Sequence, residues 1–231
     1  MDSKGSEKQV TLYVVATPIG NLEDITLRAL RILKECDHIL CEDTRMTKKL
    51  LAHYDIHVPT SSFHSHSSAA SIEKTLDLFR EGKTCALVTD AGTPGISDPG
   101  SLLVAKVREE LPEVSVVPIP GPSAVIAALS ASGIPSSDFL FLGFLPHKKG
   151  RETLFKEIAG SVRPAVFYES PHRVEKALAS LAVHAPEKKV VIMREITKIF
   201  EQFVSGTPAE VSAYFASHPD KVRGEFVIIV A

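Results

Sequence analysis

Apolar runs punctuated by proline and glycine set the frame of this chain. Residues 10–16 are a mostly apolar, β-rich run stopped by Thr17-Pro18-Ile19-Gly20-Asn21, which predicts a buried strand ending in a turn. Leu27, Leu30 and Leu33 recur at helical spacing, with Asp24 or Thr26 placed to cap. Residues 38–41 are a short strand ending in Glu42-Asp43-Thr44-Arg45, where a helix opens towards His53. Residues 58–63 are a further strand candidate, with His64-Ser65-His66 as its polar exit. Ile72, Leu76 and Phe79 share one helix face, and Gly82 stops that helix. Residues 84–88 predict a buried strand, 101–111 an amphipathic helix and 114–118 another strand. Residues 124–131 are apolar on every face, which predicts a buried helix closed by Gly133. Strands alternating with helices point to a parallel sheet of βαβ units.

Ser132-Gly133-Ile134-Pro135-Ser136-Ser137 reads as a linker into a second half. There, residues 139–144, 165–168, 189–193 and 227–230 are strand-like, and 200–204 pair with the third of these. Ser170-Pro171 reads as cap and first position of a helix whose buried face is Val174, Leu178 and Leu181. Thr207-Pro208 starts another. The expected organisation is an α/β protein of two α/β domains: a tail at 1–9, an N-terminal domain at 10–132 and a C-terminal domain at 133–231.

At 231 residues with 44% apolar side chains, the chain has material for one large or two small packed cores. No run approaches the ~18 apolar residues of a membrane span. The polar start lacks the apolar region of a signal peptide and reads as a frayed tail. Cys36, Cys41 and Cys85 are odd in number, sit in apolar contexts and lack metal spacing, so they read as reduced core thiols of a cytosolic protein. A formal net charge of -2 does not announce a nucleic-acid binder, so any such contact needs a local basic patch.

One device recurs where strands end: proline among Gly, Ser, Thr or Asp, at Thr17-Pro18, Gly92-Thr93-Pro94, Gly121-Pro122-Ser123 and Ser170-Pro171. The stretch from Val88 to Gly100 carries it furthest, with three glycines, two prolines and two aspartates. Rigid, glycine-rich turns at the carboxyl ends of strands are where open α/β sheets bind ligands; the plain alternative is a tight crossover turn. Asp98-Pro99 reads as a helix cap followed by proline at the first helical position. Neither the P-loop lysine pattern nor GxGxxG is present, which disfavours a phosphate cradle or a dinucleotide and leaves a flat polar ligand such as an adenosine.

Several motifs occur in one order: Thr17-Pro18-Ile19-Gly20-Asn21-Leu22, Glu42-Asp43-Thr44-Arg45, Asp90-Ala91-Gly92-Thr93-Pro94-Gly95-Ile96-Ser97-Asp98-Pro99-Gly100, Pro120-Gly121-Pro122-Ser123-Ala124, Phe167-Tyr168-Glu169-Ser170-Pro171-His172-Arg173 and Arg194-Glu195. Together they resemble the ribosomal RNA small-subunit methyltransferase I family of the tetrapyrrole-methylase (class III) superfamily, over about residues 10–230. The resemblance implies a homodimer of two-domain α/β chains. It implies S-adenosyl-L-methionine as methyl donor, folded into a cleft between the domains. The implied reaction is 2'-O-methylation of a cytidine ribose in the decoding centre of 16S rRNA, within the small ribosomal subunit, in the cytoplasm and away from membranes. Carried over by position, cofactor contacts fall on Pro18, Gly92, Thr93, Pro94, Ile96, Ser97, Asp98, Pro120, Ser123, Ala124 and Tyr168. Family members usually continue past the last strand into a short helical extension, so the chain reads as shortened, with substrate affinity expected to suffer.

Methyl transfer from a sulfonium to a ribose hydroxyl needs alignment, a dry site and a proton acceptor, but no metal. His64 and His66 lack a third ligand nearby and read as a polar strand exit. Candidate bases are Glu42, Asp98 and Glu169, with Asp98 favoured as a cap. Glu42 and Arg45 either reach the ligand site or pair with each other, and Glu169 and Arg173 are expected to orient ribose or phosphate. Arg45, Lys48, Lys49, Lys148, Lys149 and Arg151 are candidate phosphate contacts or simply solvated cations. Two other functions fit the same pattern: methylation of a corrin or porphyrin precursor, and a non-catalytic ribosome-assembly factor.

Overall fold

A computed structural model describes residues 9–64 and 69–231. It divides into two compact units, 1–122 and 123–231. The boundary lies earlier than the expected 132/133. The helix that the sequence assigned to the end of the first half, α5 (Ala124–Ala131), packs on the last strand of the second unit.

The first unit is a five-stranded, all-parallel sheet: β1 (Thr11–Val15), β2 (His38–Cys41), β3 (Thr60–Ser62), β4 (Cys85–Leu87) and β5 (Ser115–Ile119) in the order β3-β2-β4-β1-β5. The connecting helices are α1 (Leu27–Glu35), α2 (Thr44–His53), α3 (Ala69–Arg80) and α4 (Gly100–Glu110). Right-handed crossovers fix which face each helix covers. The leftward steps through α1 and α2 place Ala29, Ile32, Leu33 and Leu51 in one core. The rightward steps through α3 and α4 place Leu76, Phe79, Leu103 and Val107 in the other. β4 therefore sends its helix to one face while its neighbours β1 and β2 send theirs to the opposite face. Such switch points leave open the carboxyl edge of a parallel sheet.

Local chemistry sets the element ends. Thr26, rather than Asp24, caps α1 by accepting from the Ala29 amide at 3.1 Å. The buried face of α1 is Ala29, Ile32 and Leu33; Leu27 is 85% exposed, because the i, i+3, i+6 leucine series drifts off the face of a 3.6-residue helix. α5 is less enclosed than its composition predicts: Val125, Ala128 and Leu129 are buried, whereas Ile126 is exposed.

The second unit is a mixed sheet of β6 (Leu140–Phe144), β7 (Ala165–Glu169), β8 (Val190–Arg194), β9 (Gln202–Gly206) and β10 (Phe226–Val230), in the order β6-β7-β10-β8-β9. β6 and β7 run parallel; the other pairs are antiparallel. The apolar last strand, β10, is central and buried at every residue, as a strand covered on both faces must be. Helices α6 (Arg151–Gly160), α7 (Val174–His184) and α8 (Pro208–Ser217) complete the unit. Thr207 and Glu210 close a reciprocal capping box at the start of α8. Ser170 does not cap α7 as its sequence suggests: the helix starts at Val174, and the Ser170 carbonyl accepts from Arg173 and Val174 in the preceding turn.

Candidate functional site

Four loops leave the carboxyl edge of the first sheet at its switch points, and hydrogen bonds tie them together. Thr17 and Gly92 exchange both backbone bonds, N–H to O at 2.9 Å and 3.0 Å, joining the loops after β1 and β4. The Thr17 hydroxyl donates to the Thr89 carbonyl at 3.0 Å, inside the protein. Thr93 Oγ1 donates to the Pro122 carbonyl at 3.0 Å, which adds the loop after β5. The loop after β2 joins from the other side, where Asp43 N–H donates to Asp90 Oδ1 at 3.1 Å and Thr89 Oγ1 to Glu42 Oε2 at 3.3 Å. The sequence showed these loops as separate motifs; the pairing of Thr17, Thr89 and Asp90 depends on strand order and left no local signal.

Glycine is required at two places in this knot. Gly92 adopts φ +87°, which L side chains rarely take, and it must also present both backbone groups to Thr17. At Gly121 a Cβ would lie 2.9 Å from the Ala16 Cβ, so the loop after β5 closes on β1 only without a side chain.

Asp98 differs from its sequence reading as a helix cap. The cap position of α4 is Pro99, which makes no side-chain bond there. The Asp98 carboxylate instead accepts from Gly95 N–H at 2.8 Å and 2.9 Å and from Gly100 N–H at 2.8 Å, so it clasps its own loop. The clasp accompanies a left-handed Ser97, φ +70°, and leaves Ile96 exposed at the loop tip. Residues 89–100 thus expose Ala91, Ile96 and Ser97 and carry no cation, a surface that suits a nucleoside better than a phosphate. Pro18 and Thr93 are half-buried and Pro94 buried in the same knot, while Pro120 is exposed.

Arg45 does not pair with Glu42. Its guanidinium grips Asp43 through Nε at 3.1 Å and Nη2 at 2.7 Å, and Asp43 also caps α2 by accepting from the Arg45 amide at 2.8 Å. These bonds, with the Arg45 side-chain contact foremost, hold the Asp43 carboxyl down at about 2. Among the described residues Glu42 keeps only the long Thr89 bond, and it lines a small recess with Phe63, Leu87, Thr89, Asp98 and Gly100. Lys48 and Lys49 are exposed on α2.

In the second unit, Ser123 and Ala124 begin α5 and are half-buried. Tyr168 lies edge-on to Phe141 and Phe144, with ring centroids 5.2 Å and 5.3 Å away. Burial pushes its phenol up, partly offset by a hydrogen bond from the Val125 backbone. Glu169 is sealed, its side chain 0% exposed. Oε2 accepts from Arg151 Nη2 at 2.7 Å, and Oε1 from Arg173 Nε at 2.8 Å and Ser170 N–H at 2.8 Å. A carboxylate so enclosed cannot touch ribose, which removes Glu169 from the groups that orient substrate. Arg173 is committed to Glu169 and to the Leu145 carbonyl. Arg151, expected as a phosphate contact, is buried against the same carboxylate, so the solvated face predicted for it is lost. Lys148 and Lys149 remain exposed. Among the described residues no group of three or more His, Cys, Asp or Glu could hold a metal; His66 lies outside those residues.

Residues 11–212 match the family model for Tetrapyrrole (Corrin/Porphyrin) Methylases. Curated relatives include the ribosomal RNA small subunit methyltransferase I of Vibrio cholerae, 49% identical over 95% of this chain and 76% of that protein. The proteins of that name from Halalkalibacterium halodurans and Bacillus subtilis are 46% and 40% identical, over 99% and 100% of this chain and 76% and 78% of theirs. Among solved structures, a cobalamin-biosynthetic cobalt precorrin-4 methyltransferase aligns with TM-score 0.66 at 19% identity, covering 96% of this chain and 94% of that one. A Thermus thermophilus uroporphyrin-III C-methyl transferase complexed with S-adenyl homocysteine gives 0.65 at 20%, covering 96% and 97%. At such identities these two alignments show a shared fold alone. The chain belongs to the tetrapyrrole (corrin/porphyrin) methylases and, within them, to the ribosomal RNA small subunit methyltransferase I family.

Proposed function

We propose that the chain transfers a methyl group from S-adenosyl-L-methionine to the ribose 2'-hydroxyl of a cytidine in the decoding centre of 16S rRNA. The observation that carries this reading is 40–49% identity over nearly the whole chain to relatives named ribosomal RNA small subunit methyltransferase I. Bound S-adenosylmethionine supplies an electrophilic methyl on a positively charged sulfur. The loop clasped by Asp98 would hold the nucleoside against the backbone of Gly92 and Gly95 and the side chain of Ile96, with Pro18, Thr93, Pro94, Ser97 and Pro120 around it. Ser123, Ala124 and Tyr168 are further cofactor contacts that the family resemblance implies. A homodimer acting on the assembled small subunit in the cytoplasm completes the reading, supported by the family resemblance; no helix among the described residues is long and apolar enough to cross a membrane.

Glu42 is the residue we assign as proton acceptor. Of the three carboxylates considered, Asp98 takes three amide bonds and Glu169 is enclosed, whereas Glu42 retains acceptor capacity and faces a recess. It takes the 2'-hydroxyl proton as oxygen bonds to the methyl carbon and the carbon–sulfur bond breaks. A general base contributes about 10²–10⁴-fold. Glu42→Gln should therefore lose at least ~100-fold in kcat while binding S-adenosylhomocysteine as tightly as the wild type; a wild-type rate would remove Glu42 from the mechanism.

The family's description keeps a second reading, methylation of a corrin or porphyrin precursor. Labelled methyl transfer to small subunits, to naked 16S rRNA and to uroporphyrinogen decides between them. Label only in the tetrapyrrole would overturn the rRNA assignment, and failure to bind the cofactor would leave a non-catalytic assembly factor.

A further inference from the structure

Three charges are buried at the end of β7, and the proton transfer assigned to Glu42 uses none of them. Glu169 lies between Arg151 and Arg173, whose side chains are 10% and 16% exposed. Burying such groups costs several kcal/mol each in lost hydration, so an ion triad is a poor source of stability compared with apolar packing. What the triad does fix is the path of one loop. Arg173 Nη1 donates to the Leu145 carbonyl at 3.1 Å, and Arg151 Nη1 to the Pro146 carbonyl at 3.3 Å. Those two carbonyls begin the loop, and Arg151 itself ends it as the first residue of α6. The Leu145 side chain is fully buried. Gly150, at φ +83° with open space around it, turns the chain into the helix.

Between these anchors, His147, Lys148, Lys149 and Gly150 are all exposed. Neither lysine has an ion-pair partner among the described residues, and the nearby Glu152 is committed to Ser180 and His184 across the helix pair. The triad carries one negative and two positive charges, so it does not neutralise the loop that it holds.

We propose that Glu169, Arg151 and Arg173 are positioning residues that hold residues 147–150 as a preformed basic finger, whose two lysines take backbone phosphates of the rRNA. This rests on the rRNA reading above and adds the part of the chain that grips the polymer. A preformed loop pays its ordering entropy at folding rather than at binding, so its release shows in substrate affinity.

The test uses 16S rRNA in small subunits, with both binding and methyl transfer measured between 50 and 200 mM salt, on the order of the range over which phosphate contacts are read. Lys148→Ala/Lys149→Ala, a surface change, should raise KM and the binding Kd by roughly tenfold and flatten the log–log salt slope by about 1.4–1.8. Cofactor affinity should not move. Arg151→Met keeps both lysines and should shift KM and salt slope in the same direction; Arg151→Lys should restore part of each. Combining Arg151→Met with the lysine pair should add little beyond either alone, because both act through one loop. An unchanged Kd and slope in the lysine variant overturns the finger. Effects of Arg151→Met that leave the slope alone, or that multiply with those of the lysines, overturn the clasp. If wild-type protein bound the subunit without methylating it, the function reading would fall, while the binding arm would still decide this one.

Discussion

Gly100→Ala separates local propensity from tertiary context by the sign of its effect. Gly100 opens α4 with an ordinary helical backbone, so propensity alone predicts that alanine stabilises, by up to ~1 kcal/mol in a helix interior. In the folded chain the added Cβ would sit 2.8 Å from Asp98 Oδ1, 2.9 Å from the Gly95 nitrogen and 3.3 Å from the Pro94 Cβ. The carboxylate cannot swing aside without giving up its bonds to Gly95 and Gly100. Overpacking costs about 1–3 kcal/mol, and one lost hydrogen bond to a charged group about 1.5–3 kcal/mol. Allowing for partial relaxation and for the helix gain, Gly100→Ala should destabilise by roughly 2–4 kcal/mol. It should also weaken S-adenosylhomocysteine binding, because the loop it distorts is the proposed cofactor wall. Gly160→Ala is the control. Gly160 is the last residue of α6, and a Cβ there meets nothing within 4 Å. That variant should gain about 0.5–1 kcal/mol. Urea unfolding followed by circular dichroism reads both changes, and calorimetric titration reads the binding. A Gly100→Ala protein as stable as wild type, with unchanged affinity, would refute the clasp as the element that shapes this loop.

Other outcomes follow from charge and burial. The Asp43 carboxyl is held at about 2, below its ordinary 3.8, so its contribution to stability is present above pH 4 and is lost as pH falls from about 4 to about 2. Asp43→Asn should remove that part of the acid transition, seen as a shallower loss of urea midpoint between pH 4 and 2; an unchanged profile would dismiss the Arg45–Asp43 fork. Burial pushes the Cys85 thiol up to about 12 and the Cys36 thiol to about 11. Both should stay unalkylated by iodoacetamide at pH 8 in the native protein and react in urea, as counted by mass spectrometry. Native-state labelling at the rate of a free thiol would contradict their enclosure.

The alternation of apolar runs and turn residues determined most of the architecture. Period and punctuation are local properties, so β1, β4, α3, α5 and the apolar last strand stand where residues 10–16, 84–88, 72–79, 124–131 and 227–230 place them. The motifs at 17–22, 90–100 and 120–124 likewise marked the turns at the carboxyl edge of the first sheet, because glycine and proline leave few backbone choices. Partner choice was not local. Asp43 and Arg45 bind each other because α2 begins there, while Glu42 turns towards Thr89, forty-seven positions away in sequence. Asp98 has the composition of a cap and serves as a loop clasp, because Gly95 folds back onto it. From the sequence Glu169 reads as a substrate-orienting group and Arg151 as a phosphate contact or solvated cation; parallel pairing of β6 with β7 helps bury them together. Composition states which groups can ionise or bend; only strand order and packing decide which of them water can still reach.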